Sequence, residues 1–226
     1  TQKAFDFYSQ FCKGKIWKTN SETAEMVKLS ENSYRDINLA FANELSMICD
    51  QKNINIRELI KLANKHPRVN ILQPGCGVGG HCIAVDPWFI VSSSEKSSPL
   101  IKTARQVNEK KVIWSINKIK SFIKKFKTDY KRNPILGFFG ITFKPDVEDL
   151  RNSPALEIVE SILNNGYEVL VCEPNINSYK DLNLSNSKYV LEKSDVIIFL
   201  VSHSSFKNIN FKNRTYLDLC GIIYDI

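Results

Sequence analysis

Residues 73–89 read Gln-Pro-Gly-Cys-Gly-Val-Gly-Gly-His-Cys-Ile-Ala-Val-Asp-Pro-Trp-Phe. Four of the nine glycines of the chain lie within the six residues from position 75 to position 80. Glycine accepts positive φ and lets a ligand approach the backbone closely. Cys82 follows these glycines and Asp86 comes four residues later, so a nucleophilic thiol and a carboxylate share one segment. We interpret residues 73–89 as a catalytic loop.

Two other interpretations of this segment are considered. Cys76, His81 and Cys82 could bind a metal ion, but adjacent His and Cys side chains do not readily point at one ion, and no second pair follows at zinc-like spacing. A structural glycine turn that carries a buried cysteine is the other alternative. We predict no metal site, whereas the residues of the loop alone leave the structural turn open.

The composition is that of a globular protein, and its 226 residues suffice for one large domain or two small ones. No apolar run has the length of a membrane span and no signal segment opens the chain, so we expect a cytoplasmic protein without membrane contact. The six cysteines are scattered, as expected of free thiols in a reducing compartment. The net charge is +7, and many of the lysines lie between positions 110 and 132. A solvated helix face explains them best, an anionic small molecule second, and we expect no nucleic-acid partner because no recognition motif accompanies them.

Two long helices are predicted, from about residue 21 to 50 and from about 100 to 126. Thr19 and Glu22 have the spacing of a capping box at the first helix start. On this helix Lys28, Asn32 and Arg35 share one polar face. Apolar residues recur at intervals of mostly three, four or seven, which predicts one buried stripe formed by Ala24, Val27, Tyr34, Ile37, Phe41, Leu45 and Ile48. The second helix carries a similar stripe.

The C-terminal part has the pattern of a parallel sheet. Apolar runs at 135–139, 168–172, 196–200 and 215–219 predict strands, and residues 154–164 predict a helix that stops at Gly166. Strands that alternate with helices indicate a ligand site beyond the carboxyl ends of the strands. The loop after the first strand offers Phe143, Lys144 and Arg151 for a phosphate group, although a charged surface loop is the alternative. It lacks the Gly-x-Gly-x-x-Gly fingerprint of a primary dinucleotide site.

We therefore expect an α/β protein in which an all-helical central dimerisation domain, residues 1–128, precedes a Rossmann-like domain with a parallel sheet, residues 129–226. Three segments are similar to the UDP-glucose/GDP-mannose dehydrogenase family. The loop matches the family pattern Gly-x-Gly-x-Gly-Gly-x-Cys-x-x-x-Asp, the helix contains its Lys-x-x-x-Asn element at Lys28 and Asn32, and residues 143–154 match the segment that opens its C-terminal domain.

This resemblance implies a double oxidation of a primary alcohol to a carboxylate with two NAD+ as oxidants. Cys82 is expected to add to the aldehyde as a thiolate, Lys28 and Asn32 to stabilise the oxygen that gains charge, and Asp86 to take a proton through water. A thiol with a pKa of about 8.5 needs a nearby cation to ionise at neutral pH, and Lys28 is the candidate.

The resemblance also implies the binding residues. Lys144 with Phe143 beside it, and the backbone at Gly75 and Gly79, are expected to hold the UDP-sugar, and Arg68 to reach the sugar across the interface of a homodimer. Arg151 is expected to approach the pyrophosphate of NAD. The N-terminal dinucleotide domain of the family has no counterpart in these residues, so we expect this chain to be inactive without it.

His81 and residues 85–89 are similar to the branch of the family that acts on N-acetylated sugars. UDP-N-acetyl-D-mannosamine is the expected substrate, with UDP-N-acetylglucosamine and UDP-glucose as alternatives. Two further alternatives are a single-step dehydrogenase of the 6-phosphogluconate type, which needs no cysteine, and a non-catalytic module that binds UDP-sugars or dimerises.

Overall fold

The computed structural model describes residues 1–180, 182–211 and 214–225. The side chains of residues 224 and 225 are not described. The described residues form seven α-helices and four β-strands. The helices are α1 (Gln2–Tyr8), α2 (Ser21–Gln51), α3 (Ile56–Ala63), α4 (Asp86–Ser93), α5 (Pro99–Tyr130), α6 (Pro154–Asn164) and α7 (Ser187–Lys193). The strands are β1 (Leu136–Phe139), β2 (Val169–Cys172), β3 (Val196–Phe199) and β4 (Thr215–Asp218). None of the described helices is both long and apolar enough to cross a membrane.

The two long helices predicted from the sequence, α2 and α5, pack against each other along much of their length. Their side-chain contacts advance together along both helices, so the two run parallel: Asp36 with Arg105, Asn43 with Asn108, Ser46 with Lys111 and Asp50 with Lys118. These contacts are polar, and most of them are buried. Each buried polar group therefore needs a hydrogen-bonding partner on the facing helix.

The predicted apolar stripe of α2 is wrong in its location. Val27, Tyr34, Phe41 and Ile48 are 52%, 69%, 54% and 42% exposed. The buried face of α2 consists of small and polar side chains instead, namely Asn32, Ser33, Asp36, Ala40, Ala42, Asn43, Ser46 and Cys49. The periodicity of α2 separates an apolar face from a polar face, but it does not show which face is buried. The polar face is buried because it meets matching polar groups on α5.

The start of α2 also differs from the prediction. Asn20, not Thr19, is the N-cap residue, and its side-chain oxygen accepts a hydrogen bond of 2.7 Å from the backbone N–H of Thr23. Asn and Thr both cap helices well, so two neighbouring candidates cannot be separated by residue type alone.

The four predicted strands are confirmed as a parallel sheet with the order β2-β1-β3-β4. Helix α6 and the part of α5 from Val112 onward pack on one face of the sheet, where Val112, Ile119 and Ile123 of α5 join its core. Helix α7, which the sequence analysis did not predict, packs on the other face through Val190. Because α5 contacts both α2 and the sheet, the division at residue 128 stays a prediction.

Lys111 is a buried cation at the α2–α5 interface. It is 3% exposed, its Nζ donates a hydrogen bond of 2.8 Å to Ser46 Oγ, and it lies 3.6 Å from the centre of the Trp114 ring. Burial lowers the pKa of Lys111 from 10.5 to about 7. The folded protein therefore releases this proton at a lower pH than the unfolded chain does.

We expect this lowered pKa to make stability rise with pH. Below pH 7 both states hold the proton, whereas above pH 7 the unfolded chain binds more protons, so the stability of the wild type relative to Lys111→Met should increase by about 2 kcal/mol from pH 7 to pH 9. Urea unfolding at several pH values measures this difference. The exposed neighbour Lys110, changed to Met, serves as the control and should follow the wild type. A pH-independent difference between wild type and Lys111→Met would contradict the assignment.

Candidate functional site

The glycine loop, residues 73–82, packs against the loop that joins β1 to α6, residues 140–153. The backbone N–H of Gly80 donates a 3.0 Å hydrogen bond to the carbonyl of Arg151, and the side-chain amide of Asn152 donates one of 3.3 Å to the carbonyl of Gly80. The two segments therefore meet backbone to backbone, at the carboxyl end of the sheet where the sequence predicted a ligand site.

This contact requires the glycines of the loop. A Cβ atom at Gly77 would lie 2.8 Å from Val112 Cγ2, and one at Gly80 would lie 2.8 Å from Phe143 Cε2. A Cβ at Gly79 would overlap the carbonyl oxygen of Asn152. Gly77 and Gly80 also have φ values of 154° and 85°, which side chains rarely allow. The close approach thus explains why three glycines are packed into this stretch.

A cavity of about 280 Å³ lies beside the glycine loop. Four of the residues expected to bind substrate line it together, namely Gly75, Gly79, Phe143 and Lys144. The Lys144 ammonium lies 5.4 Å from the centre of the Phe143 ring and is exposed to solvent. A cation and an aromatic ring at one cavity suit an anionic ligand with a flat ring.

The cavity also contains a residue that the sequence analysis left without a role. Arg35 and Leu39, one turn apart on α2, contribute to its wall. The sequence analysis places Arg35 on the polar face of α2 with Lys28 and Asn32 and gives it no role of its own. Its spacing after Asn32 was the available signal, because residues three apart on a helix lie on the same face.

Asn43, on α2, holds the start of the glycine loop. Its side-chain oxygen accepts a 3.0 Å hydrogen bond from the backbone N–H of Gly75, and its amide donates one of 2.9 Å to Asn108. The Asn108 amide in turn donates a 2.8 Å hydrogen bond to Asp36, which also pairs with Arg105 at 2.7 Å. A chain of buried hydrogen bonds thus connects the α2–α5 interface to the loop.

Asn32, Cys82 and Asp86 lie together at the far end of the glycine loop. The Asn32 amide, on α2, donates a 2.6 Å hydrogen bond to Asp86 Oδ2. The backbone N–H of Asp86, the first residue of α4, donates one of 2.8 Å to the carbonyl of Cys82, four residues earlier. Asn32 is 3% exposed, whereas Cys82 and Asp86 are partly exposed. The backbone of Cys82 is therefore linked to the residue whose carboxylate Asn32 contacts, and Cys82 is partly exposed rather than in a dry apolar core.

Two predicted site residues are not drawn to this cluster. The Lys28 ammonium lies 3.6 Å from Glu31 on its own helix, and both side chains are more than 60% exposed, at 64% and 62%. Arg68 is exposed in the segment between α3 and the glycine loop. Their predicted roles stay predictions.

Arg151 is the cation whose electrostatics involve Cys82. Its guanidinium binds Asp149 through Nε at 3.0 Å and Nη2 at 2.6 Å. This hydrogen bonding lowers the pKa of Asp149 to about 2, and His81 contributes a smaller part. The pKa of Arg151 is raised, first by Asp149 and to a lesser extent by the charge of Cys82. Arg151 therefore lies close enough to Cys82 for their charges to interact.

Comparison with known proteins identifies both parts of the chain. Residues 22–110 match the central domain of the UDP-glucose/GDP-mannose dehydrogenase family, and residues 137–225 match its UDP binding domain. The chain belongs to this family. The resemblance found in the loop, the helix and the 143–154 segment is thereby confirmed.

Individual relatives agree with this assignment. The chain is 50% identical over 220 residues to the UDP-N-acetyl-D-mannosamine dehydrogenase of Escherichia coli, covering 93% of this chain and 52% of that protein. It is 45% identical to the NDP-N-acetyl-D-galactosaminuronic acid dehydrogenase of Ralstonia solanacearum, covering 98% of this chain and 53% of that protein. The structure of the UDP-D-ManNAc dehydrogenase of Pyrococcus horikoshii matches with a TM-score of 0.86 at 36% identity, over 98% of this chain and 53% of that one. The chain spans about half the length of the relatives it matches.

We expect Asn43→Ala to destabilise the chain and to free the glycine loop. The change leaves the Gly75 N–H and the buried oxygen of Asn108 without their partner, which should lower the free energy of unfolding by about 2 kcal/mol. Urea unfolding measures the loss. Asn38→Ala is the matched control, because the Asn38 amide bonds the carbonyl of Tyr34 in its own helix, and it should change stability by less than about 0.5 kcal/mol. Equal effects of the two variants would contradict the link to the loop.

Proposed function

We propose that this chain forms the substrate-binding and cysteine-bearing part of an NAD-dependent UDP-N-acetyl-D-mannosamine 6-dehydrogenase. The cavity beside the glycine loop, lined by Lys144 and Phe143, carries the proposal. It lies in a region that matches both the central and the UDP binding domain of the family. The choice of sugar follows the E. coli relative, which is 50% identical.

The proposed site would hold the UDP part of the substrate along the glycine loop. The Lys144 ammonium would bind the diphosphate, and Phe143 offers a flat surface beside it. Arg35 would add a second cation on the α2 side of the cavity. Gly75 and Gly79 would let the ligand lie close to the backbone.

The proposed chemistry centres on Cys82. Its thiolate adds to the carbon of the C6 aldehyde, and the aldehyde oxygen becomes an alkoxide in a thiohemiacetal. Asn32 and Lys28, one turn apart on α2, would donate hydrogen bonds to that oxygen. After oxidation to a thioester, a water molecule held by Asp86 attacks the carbonyl and the thiolate leaves as the uronate forms.

NAD fits this proposal at Arg151. Asp149 occupies Nε and Nη2 of that guanidinium, so Nη1 has no hydrogen bond among the residues that the structure describes. An exposed guanidinium with a free edge suits a pyrophosphate. The bound nucleotide would accept the hydride that leaves C6.

The role of Cys82 can be tested by joining this chain to the part of the E. coli relative that it does not cover. In that chimera, Cys82→Ser should lower uronate formation on the order of 10³-fold or more, because the serine hydroxyl is far less nucleophilic. UDP-sugar binding, measured by calorimetry, should remain. Cys12→Ser, at an exposed cysteine, is the matched control and should keep wild-type turnover. Undiminished turnover in Cys82→Ser would refute the assignment of Cys82 as the nucleophile. A chimera that binds no UDP-sugar would refute the proposed function.

We also propose a homodimer that buries the exposed apolar face of α2. Exposed apolar side chains on one helix face, such as Phe41 at 54%, indicate an interaction surface. Sedimentation at micromolar concentration should give the mass of two chains, and Phe41→Asp should give that of one. Leu62→Asp changes an equally exposed residue of α3, 63% accessible, and should leave the dimer intact. A monomeric wild type would contradict the proposal.

A further inference from the structure

His203 lies four residues after the end of β3 and is completely buried. Its ring connects the carboxyl ends of three strands. Nδ1 accepts a 3.0 Å hydrogen bond from the backbone N–H of Asp146, after β1, and lies 3.1 Å from the side-chain amide nitrogen of Asn175, after β2. Nε2 lies 3.2 Å from Glu173 Oε2 and 3.3 Å from Thr142 Oγ1.

These contacts determine which ring nitrogen carries the proton. A backbone N–H can only donate, so Nδ1 of His203 must accept from Asp146 and has no proton. The Thr142 hydroxyl donates its proton to the carbonyl of Lys144 at 3.0 Å, so it does not donate to Nε2. The imidazole is therefore a neutral ring with its proton on Nε2.

Glu173 holds the other side of this arrangement. Its Oε2 accepts a 2.8 Å hydrogen bond from the backbone N–H of Ile141, and Oε1 accepts one of 3.0 Å from that of Asn175. Burial raises the pKa of Glu173, but hydrogen bonds from His203 and these backbone groups outweigh burial and lower it. An ionised carboxylate thus receives the Nε2–H of the ring.

The segment between these anchors is strained. Asp146 has a φ of 58°, in the left-handed region that side chains other than glycine seldom adopt. Its carboxylate Oδ1 also accepts a 3.0 Å hydrogen bond from the backbone N–H of Ser204, the residue after His203. Phe143 and Lys144 lie between the anchored residues Thr142 and Asp146, and both line the cavity beside the glycine loop. Strain of this kind persists only where surrounding contacts hold it.

We propose that His203 is a positioning residue for recognition of the diphosphate of a UDP-sugar. Its Nδ1 holds the backbone of residues 142–146 in the conformation that presents Phe143 and Lys144 to the cavity. This role rests on the proposed function, because the buried ring of His203 acts on the ligand only through the loop that it holds. Phe143 and Lys144 of that loop carry the ligand contacts.

Two substitutions separate the two ring nitrogens. The side-chain oxygen of Asn can replace Nδ1 as an acceptor for the Asp146 N–H, whereas Gln reaches the place of Nε2 and can donate to Glu173 but leaves the Asp146 N–H without an acceptor. With UDP as the probe in calorimetry on the 226-residue chain, His203→Asn should keep the Kd within about 3-fold of wild type, whereas His203→Gln should raise it about 10-fold or more. Lys144→Met should also weaken UDP binding, which tests that this loop contacts the ligand.

A control variant and a second measurement address stability and conformation. Val190→Ala removes methyl groups from the core beneath β1 and β2, so it should lower the urea midpoint without changing the Kd for UDP. Hydrogen exchange of the Asp146 amide should be slow in the wild type and in His203→Asn, and fast in His203→Gln. Nitrogen-15 spectra of the wild type should contain a neutral His with its proton on Nε2.

Each outcome decides between the proposals. Equal weakening of UDP binding in the Asn and Gln variants, in proportion to their loss of stability, would overturn the positioning role of His203. A wild type that binds no UDP would overturn the proposed function, and exchange at Asp146 would then decide the positioning role separately. Slow exchange in His203→Gln would also overturn it.

Discussion

The contact between the glycine loop and the β1–α6 loop is the constraint on which the rest of the structure depends. Gly80 bonds Arg151 backbone to backbone, and a side chain at Gly79 would overlap Asn152. This approach joins the helical part of the chain to the end of the parallel sheet. It forms the cavity, and it brings the segment that ends in Cys82 next to Arg151. A methyl group at Gly79 would push the two loops apart and would thereby disturb both the cavity and the position of Cys82.

The α2–α5 interface supports this contact in an unusual way, because it is polar where a helix pair is ordinarily apolar. Asp36, Arg105, Asn43 and Asn108 are each at most 4% exposed. A buried pair of charges contributes little net stability, but breaking one costs more, so such groups specify one register of the two helices. The last hydrogen bond of this network holds the Gly75 N–H. The register of the two helices therefore also determines the position of the start of the glycine loop.

The sequence predicted the features that depend on local pattern. Strands β1, β2 and β3 are short, apolar and buried throughout, whereas the first two residues of β4 are exposed. The turn after α6 ends at Gly166 with a φ of 80°, as the glycine implied. The sequence analysis failed where the burial or role of a residue depends on which other element packs against it. The Val27–Phe41 face was predicted to be buried, because periodicity does not report what covers a stripe. His203 carried no signal at all, since a lone histidine acquires its role only when three strand ends meet around it.

The proposed reaction requires Lys28 to leave the contact that it makes in the structure. Lys28 pairs with Glu31 at 3.6 Å in full view of solvent, and an exposed pair of this kind is worth only about 0–1 kcal/mol. In the proposed reaction an oxygen that gains a full negative charge beside Asn32 would attract an ammonium more strongly than that. Lys28 would therefore leave Glu31 for this oxygen at little cost. Arg151 is held by Asp149 through two nitrogens and lies close to Cys82. In the proposed reaction Lys28 would thus be the cation that moves to the alkoxide, whereas Arg151 would stay beside Cys82.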